Sequence, residues 1–249
     1  MRILFVIFAL TLLLYAPAYS DNIAPPEGDA TTQQTPIQVL PFKASYTLKK
    51  GGLSIGHVDR ELKQDSNGDY IFESLSKPIG IATVFVKDEI KETSHWRLIE
   101  NNFRPESYSY QRTGGKKDRH VKLVFDWETK KVTNIINDDA WKMDIPENVQ
   151  DKLLYQLTIM YDLAEAGSEL SYEVADGGRL KDYSFRVLSH ETISTDIGEL
   201  KTIKIRRNHK QKTITIWCAV DRNYLPVRIE QSDDEGGELE LHIDKVAGL

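Results

Sequence analysis

The sequence predicts a mainly β protein with a single, largely antiparallel domain. Apolar and polar residues alternate in short segments, beginning with residues 42–49, and this period of two is typical of half-buried strands. Turn sequences such as Gly51-Gly52 and Ser66-Asn67-Gly68 separate the segments. Many short strands with such connections indicate one β-rich domain.

Further strand-like segments follow along the whole chain. They lie at residues 53–62, 70–75, 87–99, 106–110, 120–126 and 132–136, and then at 169–174, 183–188, 200–207, 213–220, 226–231 and 238–246. Only residues 146–167 have the spacing of an amphipathic helix, and that helix must cover the sheet. Residues 78–86 are expected to form a second, short helical or irregular element.

The N-terminal residues predict export. Arg2 precedes an apolar run, and Ala18 and Ser20 have the spacing of a small-residue cleavage site, so residues 1–20 are expected to be a secretory signal peptide. The next residue is Asp21 and not a lipidated cysteine, which predicts a periplasmic protein without a lipid anchor or a transmembrane segment. Residues 21–39 lack a hydrophobic period and predict a flexible leader, and residues 40–249 form the domain.

Composition and motifs argue against several functions. The formal net charge of −6 disfavours nucleic-acid binding. Cys218, the only cysteine, excludes an intrachain disulfide, and its place on an apolar strand face predicts a buried, unreactive thiol. The six histidines have no metal-site spacing, so neither metal nor cofactor is expected. No G-x-S-x-G motif is present, and we expect a protein without catalytic residues.

Two basic clusters, Arg112–Lys122 and Lys204–Lys212, lie at the expected tips of hairpins. Lysines at such places protect sheet edges from aggregation, which is one interpretation. The other is contact with an anionic membrane surface. The residues expected to make that contact are Lys116, Lys117, Arg119, Arg206 and Lys210.

Several segments, in this order, resemble the bacterial domain-of-unknown-function 3108 family. They include PFKASYTLKKGGLSIG, VKLVFDWETKKV, DKLLYQLTIMYDL and ITIWCAVDRNYLPVRIEQ, and the resemblance covers residues 40–248. Members are typically exported envelope proteins without an assigned activity. The C-terminal segment also looks like the closing strands of the Lol-type periplasmic lipoprotein carriers. That likeness implies a Gram-negative envelope and a strongly curved antiparallel sheet, an unclosed half β-barrel covered by one main helix.

The resemblance and the residues lead to three hypotheses. The first is a monomeric, non-enzymatic periplasmic protein that binds a lipid or a lipoprotein acyl chain in its curved sheet. Aromatic residues that either line such a cavity or belong to an ordinary core are Phe42, Tyr46, Trp96, Tyr110, Trp127 and Trp217. The second is an interaction or assembly module with a filled core and no ligand. The third is an enzyme using Asp126 and Glu128, but these residues fit a hairpin connection better.

Overall fold

The computed structural model describes residues 37–115, 117–137, 139–209, 212–233 and 237–249. The predicted signal peptide and most of the predicted leader lie outside these residues. Ile37 and Val39, at the end of that leader, pack against the core. Within the described ranges, no helix is long and apolar enough to cross a membrane.

Fifteen strands of the described chain form one sheet, and two short helices interrupt their order. The elements are β1 Phe42–Lys50, β2 Leu53–Gln64, β3 Tyr70–Pro78, α1 Ala82–Phe85, β4 Glu89–Ile99, β5 Asn102–Thr113, β6 Arg119–Asp126, β7 Lys131–Ile136, β8 Asp139–Asp144, β9 Gln150–Asp151, α2 Leu154–Asp162, β10 Glu169–Asp176, β11 Arg179–Thr195, β12 Gly198–His209, β13 Lys212–Ala219, β14 Leu225–Asp233 and β15 Glu238–Ala247.

The sheet is a continuous antiparallel meander whose two halves meet at the chain ends. Strands β8 to β1 lie side by side in reverse order, β1 pairs with β15, and the order then runs down from β15 to β9. Among the described strands, only the two-residue β9 pairs in parallel, with β10. β8 and β9 stand at opposite ends of the sheet, which therefore does not close into a barrel. The predicted mainly β, half-barrel class is confirmed.

Helix α2 lies between two apolar clusters and does not merely cover the sheet with one stripe. Leu154, Leu157 and Met160 belong to the larger cluster, whereas Tyr155 and Ile159 belong to the second cluster. A helix that is apolar on nearly every side is buried. The observed helix is also shorter than the predicted segment 146–167 because its approach, through β9, is extended and hydrogen-bonded to β10.

Strand β13 has both faces covered, as its uncharged pattern predicts. Trp217 packs in the larger cluster, and Ile216 and Cys218 pack in the second. A short 3-10 turn follows at Val220–Arg222, and Asn223 adopts the left-handed conformation that asparagine tolerates. The chain thereby returns as β14, next to β13.

Candidate functional site

Four of the six aromatic residues expected to line a cavity lie in the packed core. Phe42, Tyr46, Trp96 and Trp217 are each at most 5% exposed and belong to one apolar cluster. The Tyr46 hydroxyl donates a hydrogen bond to the Pro226 carbonyl at 2.9 Å, and burial raises the pKa of Tyr46 to about 12. Protein side chains therefore surround these rings.

Trp96 is at the centre of a chain of stacked rings. Its ring lies 4.5 Å from that of Tyr70 and 4.9 Å from that of Phe103, and Phe103 in turn contacts Tyr161. The indole Nε1 of Trp96 is buried without a hydrogen-bond partner in the described structure. Packing, and not polar recognition, holds this ring.

Trp217 contacts two cations in addition to the apolar cluster. Lys204 on β12 and Arg228 on β14 lie directly beside it in the sheet register, with their charged groups 4.6 and 5.2 Å from the ring. The indole N–H also donates to the carboxylate of Glu191. These contacts hold the Trp217 ring in place within the sheet.

Cys218 gives a direct check of this packing. Its side chain is fully buried, and burial raises the pKa of the thiol well above its usual range. We expect no measurable reaction of the native protein with a thiol-specific reagent, and one thiol per chain after addition of denaturant. Rapid labelling of the native protein would contradict the buried position.

Trp127 lies at a polar cleft of about 570 Å³ between the β4–β5 turn, the β6–β7 turn and α2. Its Nε1 donates to the Pro105 carbonyl at 2.8 Å, and the Arg104 guanidinium lies 4.5 Å from its ring. Lys130 and Glu147 form an ion pair of 2.7 Å at the same cleft. Such polar walls do not suit an acyl chain.

The carboxylate of Asp126 closes the turn after β6. It accepts a hydrogen bond of 3.0 Å from the Thr129 N–H, and this bond lowers the pKa of Asp126. The expected hairpin connection is thus observed. Among the residues that the structure describes, no group of three His, Cys, Asp or Glu side chains is arranged to hold a metal ion.

An exposed apolar segment lies elsewhere, between β3 and β4. We call residues 79–86 the apolar loop; it contains α1 and no charged residue. Ile81, Val84 and Phe85 are 75%, 68% and 81% exposed. The loop is tied to β2 by a hydrogen bond of 3.1 Å from the Ile79 N–H to the Ile55 carbonyl. Large side chains so fully exposed and so close together are uncommon on a monomeric protein surface.

The tip of the basic β5–β6 hairpin packs against the base of the apolar loop. A Cβ added at Gly114, whose φ is +85°, would lie 2.2 Å from the Lys87 carbonyl oxygen, and one at Gly115 would lie 2.0 Å from the Asp88 carboxylate. At position 114 only glycine permits this approach, because the neighbouring atom is a backbone oxygen, whereas at position 115 the Asp88 side chain would have to move. Arg112 Nε lies 3.7 Å from the same carboxylate of Asp88. The hairpin tip therefore lies next to the C-terminal end of the apolar loop.

Beside Arg112 the same hairpin forms a small pocket of about 240 Å³, which we call the basic pocket. Its lining residues are Tyr108, Tyr110, Arg112, Arg119, Val121, Lys152, Asp176 and Gly177. Arg112 on β5 and Arg119 on β6 are directly opposite in the sheet register. Lys152, which precedes α2, lies with its Nζ 6.0 Å from the centre of the Tyr110 ring.

The positive charge of the basic pocket is only weakly compensated. Within the described chain, the Arg119 guanidinium and the Lys152 Nζ have no side-chain hydrogen bond or ion pair within 4.0 Å, although the Lys152 charge acts on Asp176 from a longer distance. Arg112 reaches Asp88 only at 3.7 Å. Burial raises the pKa of the Asp176 carboxyl, but the hydrogen bond from Lys181, the charge of Lys152 and the hydrogen bond from Tyr183 more than offset this effect and lower the pKa below its usual value. Lys181, 2.7 Å away, neutralises that carboxylate.

The structure brings together only some of the residues proposed from sequence. Tyr110 and Arg119 meet in the basic pocket, and exposed Lys117 lies at its hairpin tip, where its carbonyl accepts a hydrogen bond of 3.4 Å from Arg112. Arg206, on β12, donates instead to Thr215 at 3.1 Å. Lys116 and Lys210 lie outside the described residues.

Two features of this surface were missed. The sequence predicts a short helical or irregular element at residues 78–86, and α1 lies there, but it does not predict that the apolar side chains are exposed. The sequence contains no signal that places Lys152 in the basic pocket, because Lys152 is about 40 residues from Arg112 and only the tertiary fold brings the two together.

Comparison with known proteins supports the architecture. Residues 42–244 match the family described as "Protein of unknown function (DUF3108)". The chain belongs to this family. It is similar to a crystal structure of a β-barrel-like protein of domain of unknown function DUF1849 from Brucella abortus, at 9% identity with a TM-score of 0.55, covering 84% of this chain and 98% of that one. The fold class of this DUF3108 member is thereby supported.

Two further solved structures are weakly similar to this DUF3108 member. A structure of MucB in complex with MucA(peri) is 10% identical, with a TM-score of 0.17, and covers 84% of this chain and 89% of that one. The Pseudomonas aeruginosa MucA/MucB complex is 9% identical, with a TM-score of 0.17, covering 82% and 88%. A comparison with curated proteins finds no match.

Proposed function

We propose that this protein is an exported, non-enzymatic binding protein that docks on anionic lipid through its apolar loop and basic pocket. The observation that carries the proposal is that the β5–β6 hairpin, which carries the basic pocket, packs against Lys87 and Asp88 directly after the apolar loop. Amphipathic lipid presents apolar chains and anionic headgroups side by side. A protein surface that presents exposed apolar side chains beside weakly compensated cations is complementary to it.

The magnitudes favour reversible binding. Transfer of a side chain such as Phe85 or Val84 from water to an apolar phase contributes about 1.5 to 3 kcal/mol. Each cation near an anionic surface adds about 1 kcal/mol at physiological salt. Asp88 and Glu89 at the base of the loop lie near Arg112 and Lys77, respectively, and their charges are partly offset. Two or three inserted side chains and as many cations therefore suffice for peripheral attachment, without anchoring the chain permanently.

The interior is a poorer place for a lipid than this surface. Four of the six aromatic residues that could line a hollow half-barrel are buried in one apolar cluster, and α2 packs between that cluster and the second one. A ligand inside would have to displace packed protein, and burial of the ligand would then gain little. The proposal thus keeps an amphipathic ligand but places it on the outside.

Co-sedimentation with vesicles tests the proposal. We expect the protein to bind vesicles of phosphatidylethanolamine and phosphatidylglycerol, to bind phosphatidylcholine vesicles much less, and to be released at high salt. Phe85→Asp should weaken binding to anionic vesicles by at least about tenfold, because it removes apolar burial and adds repulsion. Leu188→Asp is the matched control, since Leu188 is an exposed apolar residue of β11, remote in sequence from the loop.

Equal losses in both variants, or no binding by the wild-type protein, would contradict the proposal. The apolar loop would then be assigned to a protein partner, as in an assembly module with a filled core. Capture of a partner that requires Phe85 but no lipid would favour that alternative. Circular dichroism of each variant would show that the fold is intact.

A further inference from the structure

We infer that the basic pocket binds a phosphoryl group. The assignment of this phosphoryl group to a lipid headgroup rests on the proposed function. The binding of a phosphoryl group in the pocket does not. Arg112 and Arg119 face each other on neighbouring antiparallel strands and line the same pocket. Like charges directly opposite each other across two strands destabilise a sheet, and an anion between them removes that penalty.

The third cation comes from a different part of the fold. Lys152 lies in the segment between β9 and α2, and its backbone is fixed because the adjacent Asp151 carboxylate accepts hydrogen bonds from the N–H groups of Leu153 and Leu154 at 2.8 Å each. The pocket therefore has cations on two sides without large reorganisation. Such preorganisation lowers the cost of binding.

The remaining lining groups fit a phosphoryl group in size and polarity. A volume of about 240 Å³ is small for a whole ligand, because drug-sized ligands occupy about 300 to 1,000 Å³. The Tyr110 hydroxyl has no hydrogen-bond partner in the described structure and is free to donate, whereas the Tyr108 hydroxyl donates to Glu92 at 2.5 Å. Asp176 is the one carboxylate among the described lining residues; Lys181 and Tyr183 hydrogen-bond to it, and Lys152 also interacts with its charge.

Arginine provides the geometry that a phosphoryl group needs. A guanidinium donates two parallel hydrogen bonds to neighbouring phosphate oxygens, and a lysine adds a point charge. A tetrahedral phosphoryl group has enough oxygens to bind both arginines and Lys152 together. A carboxylate has only two oxygens and cannot satisfy all three cations and Tyr110 equally well.

The test titrates the purified protein with inorganic phosphate at low salt, followed by amide NMR shifts and calorimetry. We expect saturable shifts at residues 110–112, 119–121 and 152. The double variant Arg119→Gln/Lys152→Gln should bind at least about tenfold more weakly, because two charge-assisted hydrogen bonds are lost. Lys122→Gln is the matched control, because Lys122 lies on β6 but on the opposite face from Arg119. No saturable shift in wild type, or equal affinity in the double variant, would overturn the inference.

Vesicle binding then shows whether the phosphoryl group belongs to a lipid headgroup or to a soluble ligand. Tighter binding to phosphatidic acid than to phosphatidylglycerol at equal charge, lost in the double variant, supports a lipid headgroup. Phosphate binding without any vesicle preference supports a soluble phosphorylated ligand. Phe85→Asp separates the two proposals: loss of vesicle binding with phosphate binding intact supports both. If wild type binds phosphate but no vesicle, the proposed function fails and the pocket stands.

Discussion

Replacement of Asp151 with alanine is expected to lower the free energy of unfolding by about 3 kcal/mol. The Asp151 side chain is fully buried, and its carboxylate accepts hydrogen bonds from the Ser94 hydroxyl at 2.6 Å and from the N–H groups of Leu153 and Leu154 at 2.8 Å. Alanine leaves the Ser94 hydroxyl on β4 and two N–H groups at the start of α2 without this acceptor. Relief of the buried charge offsets part of that cost. Urea unfolding at pH 7 measures the difference.

Asparagine at the same position is expected to separate the contribution of the hydrogen bonds to stability from that of the charge. The Asp151→Asn side chain can still accept from the Leu153 and Leu154 N–H groups, and its amide can donate to the Ser94 oxygen. We therefore expect Asp151→Asn to be more stable than Asp151→Ala at pH 7 by about 3 kcal/mol. Equal destabilisation by both substitutions would contradict the role assigned to these hydrogen bonds.

The charge of Asp151 predicts a pH dependence with a definite sign. Burial, reinforced by the nearby Glu92, outweighs the hydrogen bonds and raises the pKa of Asp151 from 3.8 to about 6. Between these two values the folded protein binds a proton that the unfolded chain has released, so stability falls as the pH rises. The loss is complete above the folded-state pKa and amounts to about 3 kcal/mol.

Paired unfolding curves from pH 4 to pH 7 check this sign. The wild-type protein should lose stability relative to Asp151→Asn as the pH rises, and the difference should be constant above about pH 7. Asp162→Asn is a useful control. Partial burial also raises the pKa of Asp162, but this residue is only half-buried, and its variant should keep the slope due to Asp151. Parallel curves for wild type and Asp151→Asn would contradict the prediction.

The strands could be predicted from sequence because alternation reports a local property. Residues 42–49 and 238–246 show one wet and one apolar face, and both segments are strands, paired with each other. That pairing is not local, since it joins the two ends of the domain. The curved, unclosed arrangement was predicted from the family resemblance. Sequence periodicity does not show whether a sheet closes into a barrel.

The candidate site could be predicted only in part, and for the same reason. The basic tip of the hairpin was visible in the sequence, but its pairing register was not. That register places Arg112 opposite Arg119 and depends on the Gly114-Gly115 turn packing against residues 87–88. A turn of different length would move Arg119 to another partner or face. Sequence reasoning also selected aromatic residues as a cavity wall, because apolar side chains look alike whether they contact a ligand or one another.

Trp96 distinguishes these two possibilities. Trp96→Ala is expected to lower the free energy of unfolding by about 3 to 5 kcal/mol, because the ring is fully buried between Tyr70 and Phe103 and its removal leaves a cavity. Trp96→Phe should cost much less, since it keeps most of the packing and removes an indole N–H that has no partner in the described structure. Urea unfolding followed by circular dichroism measures both.

The filled core also predicts how the Trp96 variants bind lipid. If the interior is packed protein and lipid binds outside, Trp96→Phe should bind anionic vesicles as wild type does, because Trp96 lies in the core and not in the apolar loop. Trp141→Ala serves as the control for loss of an indole, since Trp141 on the edge strand β8 is 38% exposed and should cost about 1 kcal/mol or less. A hollow interior predicts the reverse: Trp96→Ala would cost little stability and would abolish lipid binding, because a wall residue contacts its ligand more than its neighbours.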